Sequence, residues 1–351
     1  MATRVLIVED SPVMQRLLAD MIRRGEGLEV AGIAANPYEA RELVKSLKPD
    51  VMTLDVEMPR MDGLTFLERL MRLHPMPVVM VSSMTERDAE ASLRALELGA
   101  VDVIAKPKGG VDGQGLAEFG AQIAESIRAA ARADVASRDP AAPRSAGTLE
   151  GPADDAALEG RLIAIGASTG GTEAIRDILA RLPRRCPPVV IAQHMPEMFT
   201  RMFAKRLDEQ CGLAVSEAAD GERLEPGHAY VAPGNWHLSV RRTGKRFESR
   251  VGQGEPVNRH RPSVDVLFDS VAEAARDGAI AAILTGMGND GAAGMKRLRQ
   301  AGGHTIAQDE ASCVVFGMPK TAIEAGGVDK VLPLAGIAER IVACLKERSA
   351  R

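Results

Sequence analysis

Cysteine is sparse and unpaired in this sequence: Cys186, Cys211, Cys313 and Cys344 stand far apart, and no two of them form a CxxC motif. With no secretory leader ahead of them, that usage points to a reducing, cytoplasmic location. Charge of one sign is missing as well. Lys and Arg total 44 against 48 Asp and Glu, a net of -4, so the whole chain carries no field for holding nucleic acid or an anionic membrane. Long apolar runs are absent at the start, where Met1 to Val8 is cut off by Glu9 and Asp10; such a segment is too short for a signal peptide or a membrane span, and no direct membrane insertion is expected. The six histidines show no HExxH or comparable ligand spacing, which argues against a catalytic zinc. No internal repeat is present. What remains is ordinary globular composition, 45% hydrophobic and 26% charged, and 351 residues at about 150 per domain suggest two domains.

The pattern along the chain agrees. Short apolar runs (Val5–Val8, Leu28–Ala34, Val51–Leu54, Pro77–Val81, Val101–Ala105) alternate with stretches of helical period near Pro12–Arg24, Pro37–Leu47, Asp62–Leu73, Arg87–Leu98 and Leu116–Ala131. Five β/α units in series predict a parallel sheet covered by helices. From Ala133 to Gly160 the composition shifts to Ala, Pro, Gly, Ser and Asp without apolar period, which reads as a linker. A second alternating series then begins: Leu162–Ile165, Val189–Ala192, Ala279–Leu284, Thr305–Ala307 and Val328–Leu332, with helical stretches such as Glu173–Ala180 and Gly291–Ala301 between. The expectation is an α/β chain with a (βα)5 domain over residues 1–132, a linker over 133–159, and a doubly wound parallel α/β domain over 160–351. The segment His228–Gln253, with Gly244-Lys245 between alternating runs, is expected to be a β-hairpin insertion.

In an open parallel sheet, functional side chains collect at the carboxyl ends of the strands. In the first series those ends carry Glu9 and Asp10, Asp55, Ser82, and Lys106-Pro107. Three carboxylates at one edge repel unless a cation sits among them, and such oxygen ligands suit Mg²⁺. With Lys106 to neutralise an anion, Asp55 could attack a phosphoryl donor and Ser82 hydrogen-bond the product. Any one of these acids could instead simply cap the next helix, but the set together is harder to explain that way. Val5-Leu6-Ile7-Val8-Glu9-Asp10-Ser11, Leu54-Asp55-Val56-Glu57-Met58-Pro59, Val81-Ser82-Ser83 and Ala105-Lys106-Pro107 resemble the receiver domain of two-component response regulators, which has a flavodoxin-like fold. The resemblance implies phosphorylation at Asp55, Mg²⁺ held by Glu9, Asp10, Asp55 and the Glu57 carbonyl, and phosphoryl sensing by Ser82 and Lys106. One position departs from the commoner pattern: the first acid is Glu rather than Asp.

In the second series, Gly166-Ala167-Ser168-Thr169-Gly170-Gly171 lies between an apolar strand and a helix. A nucleotide-binding loop is disfavoured, because the Walker lysine is missing and Ser168 stands where the dinucleotide fingerprint needs glycine. Gly-x-Ser-x-Gly instead fits a nucleophilic serine on a strand-to-helix turn, which requires a histidine base and an orienting acid. His194 follows the strand Val189–Ala192, and Asp290 closes the glycine-rich turn after Ala279–Leu284. Each alone reads more simply, His194 as a partly buried imidazole and Asp290 as a helix N-cap; their common strand edge favours a triad. Its order, Ser, His, Asp, differs from the Ser, Asp, His of α/β-hydrolases.

From about Arg161 to Leu345 the chain resembles the CheB family of chemotaxis protein-glutamate methylesterases. The resemblance rests on Ile165 to Gly171, Gln193-His194-Met195, Ala232 to Leu238, His260 to Phe268, and Leu284 to Gly291. It implies hydrolysis of glutamate γ-methyl esters on chemoreceptors, with deamidation of receptor glutamines, by Ser168, His194 and Asp290. It also implies an oxyanion hole from the backbone amides of Met287 and Thr169, no metal for the ester chemistry, and a chemotaxis histidine kinase as phosphodonor. The receiver is expected to restrain the hydrolase until Asp55 is phosphorylated. The alternative is a response regulator with a non-catalytic partner-binding output domain. No nucleic-acid partner is expected, because the second domain carries no helix-turn-helix signal.

Overall fold

Val5 to Val8 and Val51 to Asp55 are buried almost without interruption, and strands apolar on both faces belong inside a sheet covered on both sides. The computed structural model describes residues 2–59, 61–83, 86–107, 113–133, 147–151 and 158–347, and the chain divides into two compact units, Met1–Ala142 and Pro143–Arg351. Most of the linker expected over 133–159 lies outside the described residues. Among the described residues no helix is long and apolar enough to cross a membrane.

In the first unit, strands β1 (Thr3–Val8), β2 (Leu28–Ala34), β3 (Val51–Asp55), β4 (Val78–Ser82) and β5 (Asp102–Ala105) alternate with helices α1 (Pro12–Arg24), α2 (Pro37–Leu47), α3 (Gly63–Leu73), α4 (Glu86–Glu97) and α5 (Gly113–Ala130). The strands pair in parallel in the order β2-β1-β3-β4-β5, a flavodoxin-like (βα)5 arrangement as expected. Local chemistry marks the helix starts: Ser11 caps α1 ahead of Pro12, and the Asn36 side chain accepts from the Tyr38 and Glu39 amides ahead of α2, each with proline at the favoured first position.

The second unit is built on seven parallel strands in the order β15-β14-β13-β6-β7-β10-β8. These are β6 (Leu162–Ala167), β7 (Val189–Gln193), β8 (Ala214–Glu217), β10 (His228–Val231), β13 (Ala279–Ile283), β14 (His304–Gln308) and β15 (Lys330–Leu332). Helices α6 (Gly171–Arg181), α7 (Glu197–Gln210), α8 (Val264–Ala275), α9 (Ala292–Gln300), α10 (Met318–Glu324) and α11 (Leu334–Glu347) accompany them. The insertion differs from the expected His228–Gln253. The hairpin proper is β11 (His237–Thr243) with β12 (Arg246–Gly252), turned by Gly244 at φ 64°, and β12 also pairs with the short β9 (Arg223–Leu224). His228–Val231 is instead β10, a parallel strand between β7 and β8 whose Ala229, Tyr230 and Val231 are buried. It alternates no more than a buried parallel strand should.

From β6 the chain moves to β7 on one side, while β13 lies on the other. Strand order reverses there, and the crevice beyond such a switch point is where open α/β sheets hold their ligands.

Candidate active site

The register places the serine and the histidine side by side. Ala167 pairs with Gln193 in the parallel β6/β7 ladder, and the His194 amide donates to the Ala167 carbonyl (3.1 Å), so Ser168 and His194 are the next residues on strands about 4.8 Å apart. Ser168 is held by its backbone: its amide donates to Thr285 O (3.0 Å), and its carbonyl accepts from Gly171 N (2.7 Å) and Gln193 Nε2 (2.9 Å). The glycines are needed for close approach. A Cβ on Gly166 would lie 2.2 Å from Val264 Cγ1, one on Gly171 2.2 Å from Gln193 Oε1, and one on Gly286 2.8 Å from the Ser168 Cβ; Gly170 takes φ 77°, where a Cβ is disfavoured.

His194 Nε2 and Asp290 Oδ2 are 2.8 Å apart. The other ring nitrogen, Nδ1, is buried and has no hydrogen-bond partner, an uncommon state for a buried polar atom. Asp290 does not cap the helix that follows it, whose N-cap is Gly291. It reaches across to α8: Oδ2 accepts from Val264 N (2.6 Å), and Oδ1 from Ser263 Oγ (2.8 Å), Asp265 N (3.2 Å) and Asn258 Nδ2 (2.9 Å). The carboxylate thus sits at the positive end of a helix dipole. Burial would raise its pKa, but the hydrogen bond and charge of His194, with Asn258 and the Val264 amide, outweigh burial and hold it well below the usual carboxylate range. The neighbouring Asp265 is raised by burial despite the Gly294 amide.

His260 also belongs to the site. Its ring lies against that of His194, centroids 3.7 Å apart and planes within 10°. Burial first, and the neighbouring His194 second, push its pKa down to about 3. Asn258 lies in no motif, and His260 opens the segment His260 to Phe268 without a spacing that marks a role for it; their segment joins Asp290 only through the tertiary fold. Thr169 is buried and Met287 partly so. Among the described residues neither of their amides donates a backbone hydrogen bond, whereas the Ser168 amide is already committed to Thr285.

The acidic edge of the first unit is also assembled. Lys106 Nζ is 2.9 Å from Glu9 Oε2 and 2.8 Å from Asp55 Oδ2, and ligand oxygens of Glu9, Asp10 and Asp55 all lie within 4.8 Å of one another. Glu9 and Asp55 are buried, and burial raises both pKa values despite Lys106. Burial alone would lower Lys106, but the two carboxylates outweigh it and raise its pKa. The Glu57 amide donates to Asp55 Oδ1 (3.3 Å), and the buried Ser82 hydroxyl donates to Ser83 O (3.3 Å). An all-oxygen donor set with one exposed member, Asp10, fits a hard cation that keeps some of its waters. A second cluster, His304, Cys344 and Glu347, is less suited to a metal. Glu347 is engaged by Arg340 (2.6 Å), and burial holds the Cys344 thiol up at about 11, far from the thiolate a metal requires.

Two family models match the chain: the response regulator receiver domain over residues 5–112 and CheB methylesterase over residues 163–341. A protein-glutamate methylesterase/protein-glutamine glutaminase of Thiobacillus denitrificans is 54% identical over 97% of this chain and 96% of its own length. The protein of the same description from Salmonella typhimurium is likewise 54% identical over the same shares. Among solved structures, the CheB methylesterase catalytic domain of Thermotoga maritima superposes with a TM-score of 0.51 at 42% identity, covering 52% of this chain and 97% of that one. This chain belongs to the CheB methylesterase family, with a response regulator receiver domain ahead of the methylesterase domain.

Proposed function

We propose that this chain hydrolyses glutamate γ-methyl esters on chemoreceptors, and deamidates receptor glutamines, with Ser168 as nucleophile, His194 as base and Asp290 as orienting acid. The carrying observation is the 2.8 Å contact of His194 Nε2 with Asp290 Oδ2, which leaves the buried Nδ1 without a partner on a residue that follows the strand next to the one leading into Ser168. With Nε2–H committed to the carboxylate, Nδ1 is the atom that takes the serine proton. Ser168 Oγ attacks the ester carbonyl as its proton passes to Nδ1. The oxyanion is met by the amides of Met287 and Thr169, donors aimed at charge that forms only in the transition state. Collapse breaks the bond to methanol, which leaves with the proton from the imidazolium, and water repeats the sequence to free the glutamate. From glutamine the leaving group is ammonia.

Asp55 is the proposed phosphorylation site, with a histidine kinase as donor. Glu9, Asp10, Asp55 and the Glu57 carbonyl would hold Mg²⁺, which when bound supplies positive charge against the incoming phosphoryl group. Lys106 holds that group from the other side and Ser82 reads it. Replacing Ser168 with alanine should lower methanol release from methylated receptor preparations by roughly 10³- to 10⁶-fold, as removal of a triad nucleophile does elsewhere. Near-normal release would reject the triad.

A further inference from the structure

Residues 257–260 form a strap beside the triad. Val257 and His260 exchange both backbone hydrogen bonds (3.1 and 2.9 Å), and Asn258 and Arg259 between them hold φ of 52° and 70°. That region is disfavoured for residues with a Cβ, least so for asparagine. The turn delivers two side chains together. Asn258 Nδ2 bridges Asp290 Oδ1 (2.9 Å) and Asp265 Oδ2 (2.8 Å), while His260 lies flat on His194.

We propose that His260 is a positioning residue for the hydrolysis, its ring clamping one face of His194 so that Nε2 stays on Asp290 and the ring plane that carries Nδ1 stays fixed. The inference rests on the triad reading above. One hydrogen bond fixes a point on an imidazole but leaves the ring free to tilt about it; a parallel ring at 3.7 Å also fixes the plane. Placement to within about 1 Å decides factors of up to about 10² in rate. His260 suits the task because it stays neutral at ordinary pH, facing His194, Asp290 and Arg259. His194 becomes an imidazolium in each cycle, and a neutral π face tolerates a cation where a charged ring would repel it.

The test measures kcat and KM for methyl-ester hydrolysis by the full chain carrying H260A, H260N, H260F or S168A, each with a thermal melt. H260A and H260N should lose about 10- to 100-fold in kcat with KM changed by less than about 3-fold, the cost expected of a misplaced base. H260F, which restores a flat ring, should recover most of that loss. Parent-like kcat in H260A or H260N overturns the proposal, and so does H260F as slow as H260A. If H260A fails to fold, H260N against H260F makes the same comparison. S168A separates the two claims: if it is inactive while H260A is unimpaired, only the positioning role fails, and if it is active the triad itself fails.

Discussion

A largely buried histidine stacked on another histidine stays folded most easily without a charge, and His260 is in that position. Its pKa is down to about 3, first through burial and then through His194, against an ordinary 6.5. Between those values the unfolded chain binds a proton that the folded chain refuses. Stability is therefore intact above about pH 6.5 and drains away as pH falls toward 3, by up to about 1.4 kcal/mol per pH unit from this group. Asp290 works in the same pH direction for a different reason: its carboxylate is depressed by its donors, so its contribution is present above the unfolded value of about 3.9 and is lost only in stronger acid. Urea unfolding of the parent and of H260F at pH 7 and pH 4.5 separates the two residues. H260F should lose distinctly less stability over that interval; equal losses would mean that His260 is protonated in the folded state.

At the scale of elements, the proposed triad depends on how closely α8 approaches β6. Val264, at the start of α8, donates its amide to Asp290 and packs against the bare face of Gly166. A methyl group at Gly166 would meet Val264 Cγ1 at 2.2 Å and Phe268 Cζ at 3.0 Å, so G166A must push the helix N-terminus outward and draw Asp290 with it. Overpacking of this kind costs about 1–3 kcal/mol, and the expected result is a lower melting temperature together with a fall in kcat larger than the stability loss explains. Unchanged activity would show that Asp290 does not follow α8. The same elements explain what could be read from the residues alone. Fully buried strands such as Val189–Gln193 announce themselves as unbroken apolar runs and helices such as Pro12–Arg24 by period and cap, and strand-end side chains such as Ser168, His194 and Asp290 follow from them. Ala214–Glu217 has one buried residue among four and so presents no apolar run, and His228–Val231 lies so close to the alternating runs that follow that its sequence merges with the hairpin. Asn258 and His260 lie on a turn with no regular pattern, and only tertiary folding brings that turn over the triad.

Across the whole molecule, the acidic edge of the receiver matters only if its state reaches the hydrolase. Phosphorylation would replace the single charge of the Asp55 carboxylate with a phosphoryl group carrying nearly two, in a site already holding the buried Glu9 and the nearby Asp10. Lys106, at 2.8 Å from Asp55 and 2.9 Å from Glu9, bridges the two buried carboxylates of the unmodified site but cannot offset further negative charge alone. A divalent cation would therefore assist the proposed modification, and with a phosphoryl group in place Lys106 would have a new and stronger partner than Glu9. That proposed exchange, in which Ser82 would turn from the Ser83 carbonyl to the phosphoryl oxygens, would be a local rearrangement able to bias a two-state element. A small phosphodonor with Mg²⁺ should accordingly raise the rate of ester hydrolysis by the full chain. Chelating the Mg²⁺ should remove the increase, and D55N, which lacks the attacking carboxylate, should hydrolyse at one rate whether or not the donor is present. If D55N were stimulated as strongly as the parent, the donor would be acting elsewhere and Asp55 would not be the switch.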